Sequence, residues 1–127
     1  MNVQLNHTIV SCRDQQRSAS FLTEILGLPE PVRFAHFLVV EADNNVSLDF
    51  AETTAPITPQ HYAFLVGEEE FDAAFGRIRD QGVQYWADPG RTKPDVINHR
   101  DGGRGVYFQD PDGHLLEMLT RPYGSGG

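Results

Sequence analysis

The apolar and polar residues of this chain follow one pattern twice: an alternating stretch typical of a strand, then a helical repeat, then further strand-like stretches. In the first half, residues 3–11 form a strand-like stretch, and a helix is predicted to begin after an N-cap at Asp14 and to end at Gly27. Strand-like segments follow around residues 34–40 and 46–50, and the polar turn between them favours a hairpin. The first half therefore predicts a strand, a helix and then strands.

The second half repeats this order after a connector rich in Thr and Pro. A strand is predicted over residues 61–66, then a helix that ends at Gly82, then a short strand over residues 83–86. A long loop leads to a hairpin of residues 106–109 and 115–120, whose turn has Pro and Gly where a tight turn needs them. We expect an α+β fold built from two similar modules.

The predicted domain organisation is a single domain, residues 1–127, in four parts. Module one covers residues 1–52, a connector covers 53–59, module two covers 60–122, and a flexible tail covers 123–127. A chain of this length can bury its own core, and its 39% hydrophobic content is ordinary for a globular protein.

Charge and composition exclude several classes of function. The net charge of −8 opposes binding to phosphate backbones, so neither nucleic acid nor an anionic membrane is an expected partner. No apolar run reaches about 18 residues, and the first residues lack the features of a secretory signal, so we expect a cytoplasmic protein. The single cysteine, Cys12, excludes an internal disulfide.

One acidic residue, Glu117, interrupts an apolar strand near the end of the chain. Its neighbours on both sides are leucine and methionine, and an unpaired carboxylate in such surroundings is costly to desolvate. The carboxyl group should therefore be protonated, ion-paired or bound to a metal. An arginine such as Arg121 is one candidate for the ion pair.

Two histidines provide candidate metal ligands, since His7 and His61 each lie in a predicted strand where a solvated loop histidine is not expected. Side chains two apart share a strand face, which puts both histidines and Glu117 on apolar sides. Two imidazoles and one carboxylate suit Fe(II), Mn(II), Ni(II), Co(II) or Zn(II), and three protein ligands leave coordination positions open for chemistry. The predicted metal ligands are therefore His7, His61 and Glu117.

Other interpretations of the same residues stay open. Either histidine taken alone is more often hydrogen-bonded within a fold than a metal ligand. Asp49 is a further polar group inside a predicted strand, and it can bind metal, accept a hydrogen bond from a ligand histidine or meet a backbone group. Tyr107 alternates into the same hairpin as Glu117, where it can pack or reach a substrate. His114 is expected in a loop or at the surface, as part of the hairpin turn.

Three segments carry a resemblance that covers essentially the whole chain: NHT at 6–8, FLTEILGLP at 21–29 and GRGVYFQDPDGHLLEMLT at 103–120. They resemble the vicinal oxygen chelate superfamily, which includes glyoxalase I, extradiol dioxygenases, fosfomycin-resistance enzymes and bleomycin-resistance proteins. A narrower similarity, to the group typified by a chartreusin-biosynthesis oxygenase, rests on VSLDFAE at 46–52, QHYAFLV at 60–66, YWADP at 85–89 and NHRDGGRGVYF at 98–108.

The resemblance implies two βαβββ modules that form a partly open mixed β-barrel around a divalent metal, the glyoxalase/dioxygenase fold. The family's ligands fall on His7, His61 and Glu117, which completes its pattern of two histidines and one carboxylate. Asp49 stands where glyoxalase I carries a fourth ligand, normally glutamate, and the shorter side chain disfavours four-ligand glyoxalase chemistry. The resemblance also implies a homodimer.

The function that the resemblance implies is that of a non-haem Fe(II)-dependent oxygenase or dioxygenase of antibiotic biosynthesis. It would act with O₂ on an aromatic, polyketide-like phenol bound through vicinal oxygens, with Mn(II), Ni(II) or Zn(II) as other candidate metals. Glu117 and Asp49 are the candidate catalytic groups, and His99, Arg100 and Tyr107 are the candidate substrate contacts. Two alternatives remain: a glyoxalase-like lyase or isomerase that consumes no O₂, and a metal-free antibiotic-binding resistance protein.

Overall fold

The computed structural model describes residues 2–126, and the chain divides into two units, Met1–Thr58 and Pro59–Gly127. Each unit has its own four-stranded sheet. Neither helix found between residues 2 and 126 has the length and apolar character needed to cross a bilayer.

The first unit contains strand β1 (His7–Cys12), helix α1 (Gln15–Leu26) and strands β2 (Val32–Phe34), β3 (Phe37–Glu41) and β4 (Ser47–Glu52). These strands form a sheet of order β1-β4-β3-β2, in which β1 runs parallel to β4 and the other neighbours are antiparallel. The apolar segment predicted around residues 34–40 is divided between two strands, because Ala35 takes a positive φ of 52° and turns the chain.

Helix α1 begins and ends where the sequence predicts. The side chain of Asp14 accepts a hydrogen bond from the backbone N–H of Arg17, and Gly27 ends the helix with a φ of 72°. One face of the helix is buried and packs on β3 and β4, where Leu22 and Ile25 join the core. Alternate residues of the strands supply the rest of that core: Val10, Cys12, Leu38, Val40, Leu48 and Phe50.

The second unit repeats the arrangement with strand β5 (His61–Leu65), helix α2 (Glu68–Asp80), strand β6 (Tyr85–Trp86), a 3-10 turn (Arg100–Gly102) and strands β7 (Gly105–Gln109) and β8 (Leu115–Leu119). Its sheet has the order β5-β8-β7-β6, and β5 runs parallel to β8. Both units therefore have the order βαβββ, which confirms the predicted α+β fold of two similar modules. Each sheet is open, with β1 and β2 as edges in one unit and β5 and β6 in the other.

The long loop between β6 and β7 is fixed to helix α2 at its end. The guanidinium of Arg104 contacts the carboxylates of Glu68 at 2.8 Å and Asp72 at 2.7 Å, and it lies 4.4 Å from the centroid of the Phe71 ring. The pairing carboxylates are exposed, so these ion pairs contribute little energy singly. Together with the ring contact they set where β7 begins.

The turn between β7 and β8 holds a buried polar cluster. Gly113 has a φ of 88°, as the predicted tight turn requires, and the Asp110 side chain accepts hydrogen bonds from the backbone N–H groups of Asp112 and His114. Burial raises the pKa of Asp110. His114 lies in the hairpin turn as predicted but not at the surface, since it is 1% exposed and its Nδ1 accepts a hydrogen bond from the backbone N–H of Gln60 at 2.9 Å. That bond fixes the start of β5 to the turn.

Candidate functional site

Glu117 lies in the middle of the second sheet, and the strand register sets its neighbours. Ala63 of β5 is paired with it on one side and Tyr107 of β7 on the other, and registered residues share a sheet face. His61 lies two residues before Ala63 on β5 and therefore on that face as well. Glu117 is only 1% exposed, as expected for a carboxylate inside an apolar strand.

The imidazole of His61 meets this carboxylate. The ring Nε2 lies 3.1 Å from Glu117 Oε1, and the ring Nδ1 lies 3.0 Å from the backbone carbonyl oxygen of Leu115. Because a carbonyl oxygen only accepts, Nδ1 carries a proton and donates it. In the neutral ring Nε2 then presents a lone pair toward the carboxyl group, so the contact needs either a proton on one of the two groups or a cation held by both.

The second oxygen of Glu117 is bound by a residue from the end of the chain. The Tyr123 hydroxyl donates to Glu117 Oε2 at 2.5 Å, and it lies 3.0 Å from the hydroxyl of Tyr107. Burial raises the pKa of the Tyr123 phenol, and the hydrogen bond to Glu117 raises it further. The phenol therefore remains protonated and acts as a donor to the carboxylate.

Two of the three predicted substrate contacts come together beside this pair. Arg100 Nη1 donates to the Tyr107 hydroxyl at 2.7 Å, and the Tyr107 side chain is 1% exposed. The Tyr107 ring also stacks on His61, with ring centroids 6.0 Å apart. His99 is exposed, immediately before the turn that contains Arg100, and takes no part in the side-chain hydrogen bonds found within residues 2–126.

The remaining candidates lie in the first unit. His7 opens β1, and Asp49 lies in β4, where it pairs in register with Ile9. These residues share the face opposite to the buried Val10 and Phe50, so His7 is exposed and Asp49 half-buried. His7 Nδ1 lies 2.7 Å from the side-chain oxygen of Asn6, which fixes the Nδ1–H tautomer and leaves Nε2 as the lone-pair nitrogen.

The donors present fit a divalent metal. Metal-binding histidines usually donate their second ring N–H to a carbonyl or carboxylate oxygen, and both His7 and His61 have that arrangement. The buried carboxylate of Glu117 supplies the negative charge that such an ion needs. Within neither unit do three His, Cys, Asp or Glu side chains of residues 2–126 converge on one point. The three-residue ligand set therefore stays a prediction, with His61 and Glu117 in contact.

Sequence reasoning did not find Tyr123, which lay in the segment predicted to be a flexible tail. No periodicity extends past Leu119, so only the path of the chain beyond β8 reveals the contact with Glu117. The alternative that Arg121 pairs with Glu117 is wrong, because the Arg121 guanidinium donates to the backbone oxygen of Ser125 at 3.2 Å while His61 contacts the carboxylate.

These features agree with the family to which the sequence belongs. The Glyoxalase/Bleomycin resistance protein/Dioxygenase superfamily matches residues 4–118, and the chain is a member of it. Among solved structures, the chain is similar to one named Oxidase ChaP-H2, with 60% identity, a TM-score of 0.97 and full coverage of both chains. It is also similar to one named Oxidase ChaP-H1, with 61% identity, a TM-score of 0.95, and coverage of 97% of this chain and 99% of that one.

A more distant similarity links the chain to proteins named as transferases. Glutathione transferase FosA of Serratia marcescens is 33% identical over 120 residues, which cover 90% of this chain and 78% of that protein. Metallothiol transferase FosB of Staphylococcus saprophyticus is 31% identical over 121 residues, covering 91% of this chain and 76% of that protein. The closely similar structures are thus named as oxidases, and these distant relatives as transferases.

Proposed function

We propose that this protein is a non-haem Fe(II)-dependent oxygenase that uses O₂ to modify an aromatic, polyketide-like phenol bound through vicinal oxygens. The observation that carries the proposal is the similarity, at 60% identity along the whole chain, to a structure named as an oxidase. The buried carboxylate of Glu117 against the imidazole of His61 supports it, because an enzyme of this kind needs such donors.

The proposed metal ligands are His7, His61 and Glu117. In both histidines the Nδ1–H is bound to an oxygen, which orients the ring and makes Nε2 the coordinating atom. Bound Fe(II) would supply open coordination positions and redox chemistry for the reaction of O₂ with an electron-rich ring. Mn(II), Ni(II) or Zn(II) also suit these donors, so metal analysis is part of the test.

Arg100, Tyr107 and His99 are the proposed substrate contacts. The Arg100 guanidinium stays charged at any working pH and has N–H groups beyond the one that it donates to Tyr107. It can therefore hold an ionised phenol oxygen near the Glu117 carboxylate. Tyr107 shares the sheet face of Glu117, and its hydroxyl accepts the hydrogen bond that orients Arg100 there.

Asp49 is the proposed base of the reaction. It is half-buried on the same face of the first sheet as His7, and its carboxylate can take a proton from a phenolic hydroxyl. We further propose that the active protein is a homodimer, as the family resemblance implies. Its substrate is a small molecule, in agreement with a net charge of −8 that opposes binding to nucleic acid.

The distant relatives favour one alternative, a metal-dependent thiol transferase. This alternative draws on the names of proteins that are 31–33% identical to this chain. A glyoxalase-like lyase would use the same donors without consuming O₂. Both alternatives keep the metal, so metal binding alone does not separate them from an oxygenase.

The test is an oxygen-uptake assay on protein whose metal content is known. The protein is purified without air, its metal is measured by elemental analysis, and Fe(II)-loaded samples receive polycyclic phenols under ¹⁸O₂. We expect O₂ uptake coupled to loss of the phenol and ¹⁸O in the product, with the metal-stripped protein inactive.

A parallel assay with glutathione and fosfomycin tests the transferase. Thiol transfer in Mn(II)- or Ni(II)-loaded protein, with no O₂ uptake for any phenol, would overturn the oxygenase. Product formed from a phenol or ketoaldehyde without O₂ consumption would favour the lyase instead.

A further inference from the structure

We propose that Tyr123 is a positioning residue for Glu117, holding the carboxylate so that only Oε1 is presented to the metal. The inference rests on the proposed metal-binding function and deepens it. Tyr123 donates to Oε2 at 2.5 Å, and Oε1 lies 3.1 Å from His61 Nε2. Oε2 is thus bound by the Tyr123 phenol, and Oε1 faces His61, the other proposed metal ligand.

The direction of the hydrogen bonds around Tyr123 supports this assignment. Because its proton is given to Glu117, Tyr123 must accept from the Tyr107 hydroxyl, which lies 3.0 Å away. Tyr107 in turn accepts from Arg100 Nη1 at 2.7 Å. Every proton in this series points toward the carboxylate, and bonds in such a series strengthen one another. The positive charge of Arg100 is thereby coupled to Glu117 through two phenols.

The segment that carries Tyr123 is itself attached to the protein. The backbone N–H groups of Gly124 and Gly126 donate to the two carboxylate oxygens of Asp101 at 3.1 and 3.2 Å. Asp101 lies in the turn that also carries Arg100, so one short stretch holds both the phenol-bearing segment and the start of the hydrogen-bond series. The segment bound in this way, residues 123–126, is called the C-terminal strap below.

The exposure of Tyr123 separates a positioning role from a packing role. The residue is 59% exposed, so its ring contributes little to a core, whereas its hydroxyl reaches a carboxylate that is 1% exposed. Removing the hydroxyl should therefore disturb the orientation of Glu117 more than the stability of the fold. Loss of a hydrogen bond to a metal-binding side chain typically changes metal affinity by about 10- to 100-fold.

The experiment measures Co(II) binding to the untagged protein and to the variant Tyr123→Phe. Calorimetric titration gives the dissociation constant, and visible absorption of the bound Co(II) reports the number and arrangement of its ligands. We expect the variant to bind Co(II) about 10- to 100-fold more weakly, and to show altered absorption bands because the released carboxylate can turn and use both oxygens. Neither readout depends on catalysis.

Two further variants complete the test. Tyr85→Phe removes a phenol from β6 outside the hydrogen-bond series and should leave both readouts at wild-type values. Asp101→Gly removes the carboxylate that binds the C-terminal strap, suits the positive φ of 57° at this position and keeps the Tyr123 hydroxyl, so a smaller loss of affinity is expected.

The outcomes separate this inference from the proposed function. Wild-type affinity and absorption in Tyr123→Phe would overturn the inference, whatever the result for Asp101→Gly, and would leave the metal site in place. Absence of Co(II) binding by the wild-type protein would overturn both. If Tyr123→Phe binds Co(II) more weakly and Asp101→Gly does not, the positioning role of Tyr123 is supported and the attachment of the strap to Asp101 is not needed for it.

Discussion

Glu117 is a buried carboxylate with two partners of different chemistry. His61 offers a nitrogen lone pair or a second proton, and Tyr123 offers a hydroxyl donor. Desolvation of the charge is costly, and the two contacts offset that cost only while both are present. Glu117 can therefore bind a cation together with His61.

The variant Glu117→Gln should lose the metal and keep the fold. The amide is nearly the same shape, its N–H₂ can donate to His61 Nε2, and its oxygen can still accept from Tyr123, so no buried group is left unpaired. We expect metal content after dialysis to fall well below the wild-type value, while the thermal unfolding midpoint stays within a few degrees. The exposed Glu69→Gln in α2 is the matched control. Wild-type metal content in Glu117→Gln would remove Glu117 from the ligand set.

The turn between β7 and β8 determines how the hairpin brings Glu117 opposite Tyr107. Gly113 needs its positive φ, and a Cβ there would meet no atom within 4 Å, so a side chain is excluded by the backbone conformation and not by crowding. Gly76 in helix α2 is equally uncrowded but helical. Substitutions at Gly113 and Gly76 therefore test the stability of the turn and of the helix separately.

Alanine at these two glycines should act in opposite directions. We expect Gly113→Ala to lower the free energy of unfolding by about 1–2 kcal/mol, because alanine resists the left-handed conformation. Gly76→Ala should raise it by about 0.5–1 kcal/mol, because alanine is the better helix former. Urea unfolding gives the free energy of unfolding of both variants. A neutral Gly113→Ala would mean that the turn has no role in stability.

The buried carboxyl of Asp110 in the same turn gives the stability a pH dependence. Because burial raises its pKa in the folded state, the folded protein holds this proton more tightly than the unfolded chain. The free energy of unfolding should therefore fall as the pH rises from the ordinary aspartate pKa, about 3.9, through the raised one. Asp110→Asn keeps an oxygen acceptor for the backbone N–H groups of Asp112 and His114 but cannot titrate.

Urea unfolding across this pH window provides the measurement. Relative to Asp110→Asn, the wild-type protein should lose stability as the pH increases. If the two unfolding free energies run parallel with pH, burial of Asp110 does not affect its protonation.

Several large apolar side chains are exposed in the single chain, and they bear on the oligomeric state of the protein. Val32 and Phe34 of edge strand β2 are 67% and 70% exposed, and Ile9 and Leu65 are also exposed on β1 and β5. Val32 and Phe34 are two residues apart and share a face of this edge strand, where another subunit can cover them. A homodimer agrees with this surface and with the family resemblance.

The dimer is tested by light scattering coupled to gel filtration. We expect a mass of twice 14.2 kDa at micromolar concentration, and a salt-insensitive peak because apolar contacts are not screened. A mass of 14.2 kDa at every concentration would contradict the proposed dimer.

The elements that could be predicted from the sequence are those with local signals. Helix α1 begins after Asp14 and ends at Gly27, and both residues act on neighbouring backbone atoms. The limits of β1 depend on its partner, because the ladder with β4 pairs His7 with Ser47 and leaves residues 3–6 outside it although their pattern continues. Glu117 could be singled out because its cost of burial follows from adjacent residues. The contact with Tyr123 could not, because it depends on the path of the chain after β8.

The attachment of the C-terminal strap to Asp101 has a practical consequence for anyone who produces this protein. A purification tag or a fluorescent fusion joined after residue 127 would lie next to the stretch that holds Tyr123 against Glu117. We expect metal affinities measured with such a fusion to be lower than those of the untagged protein.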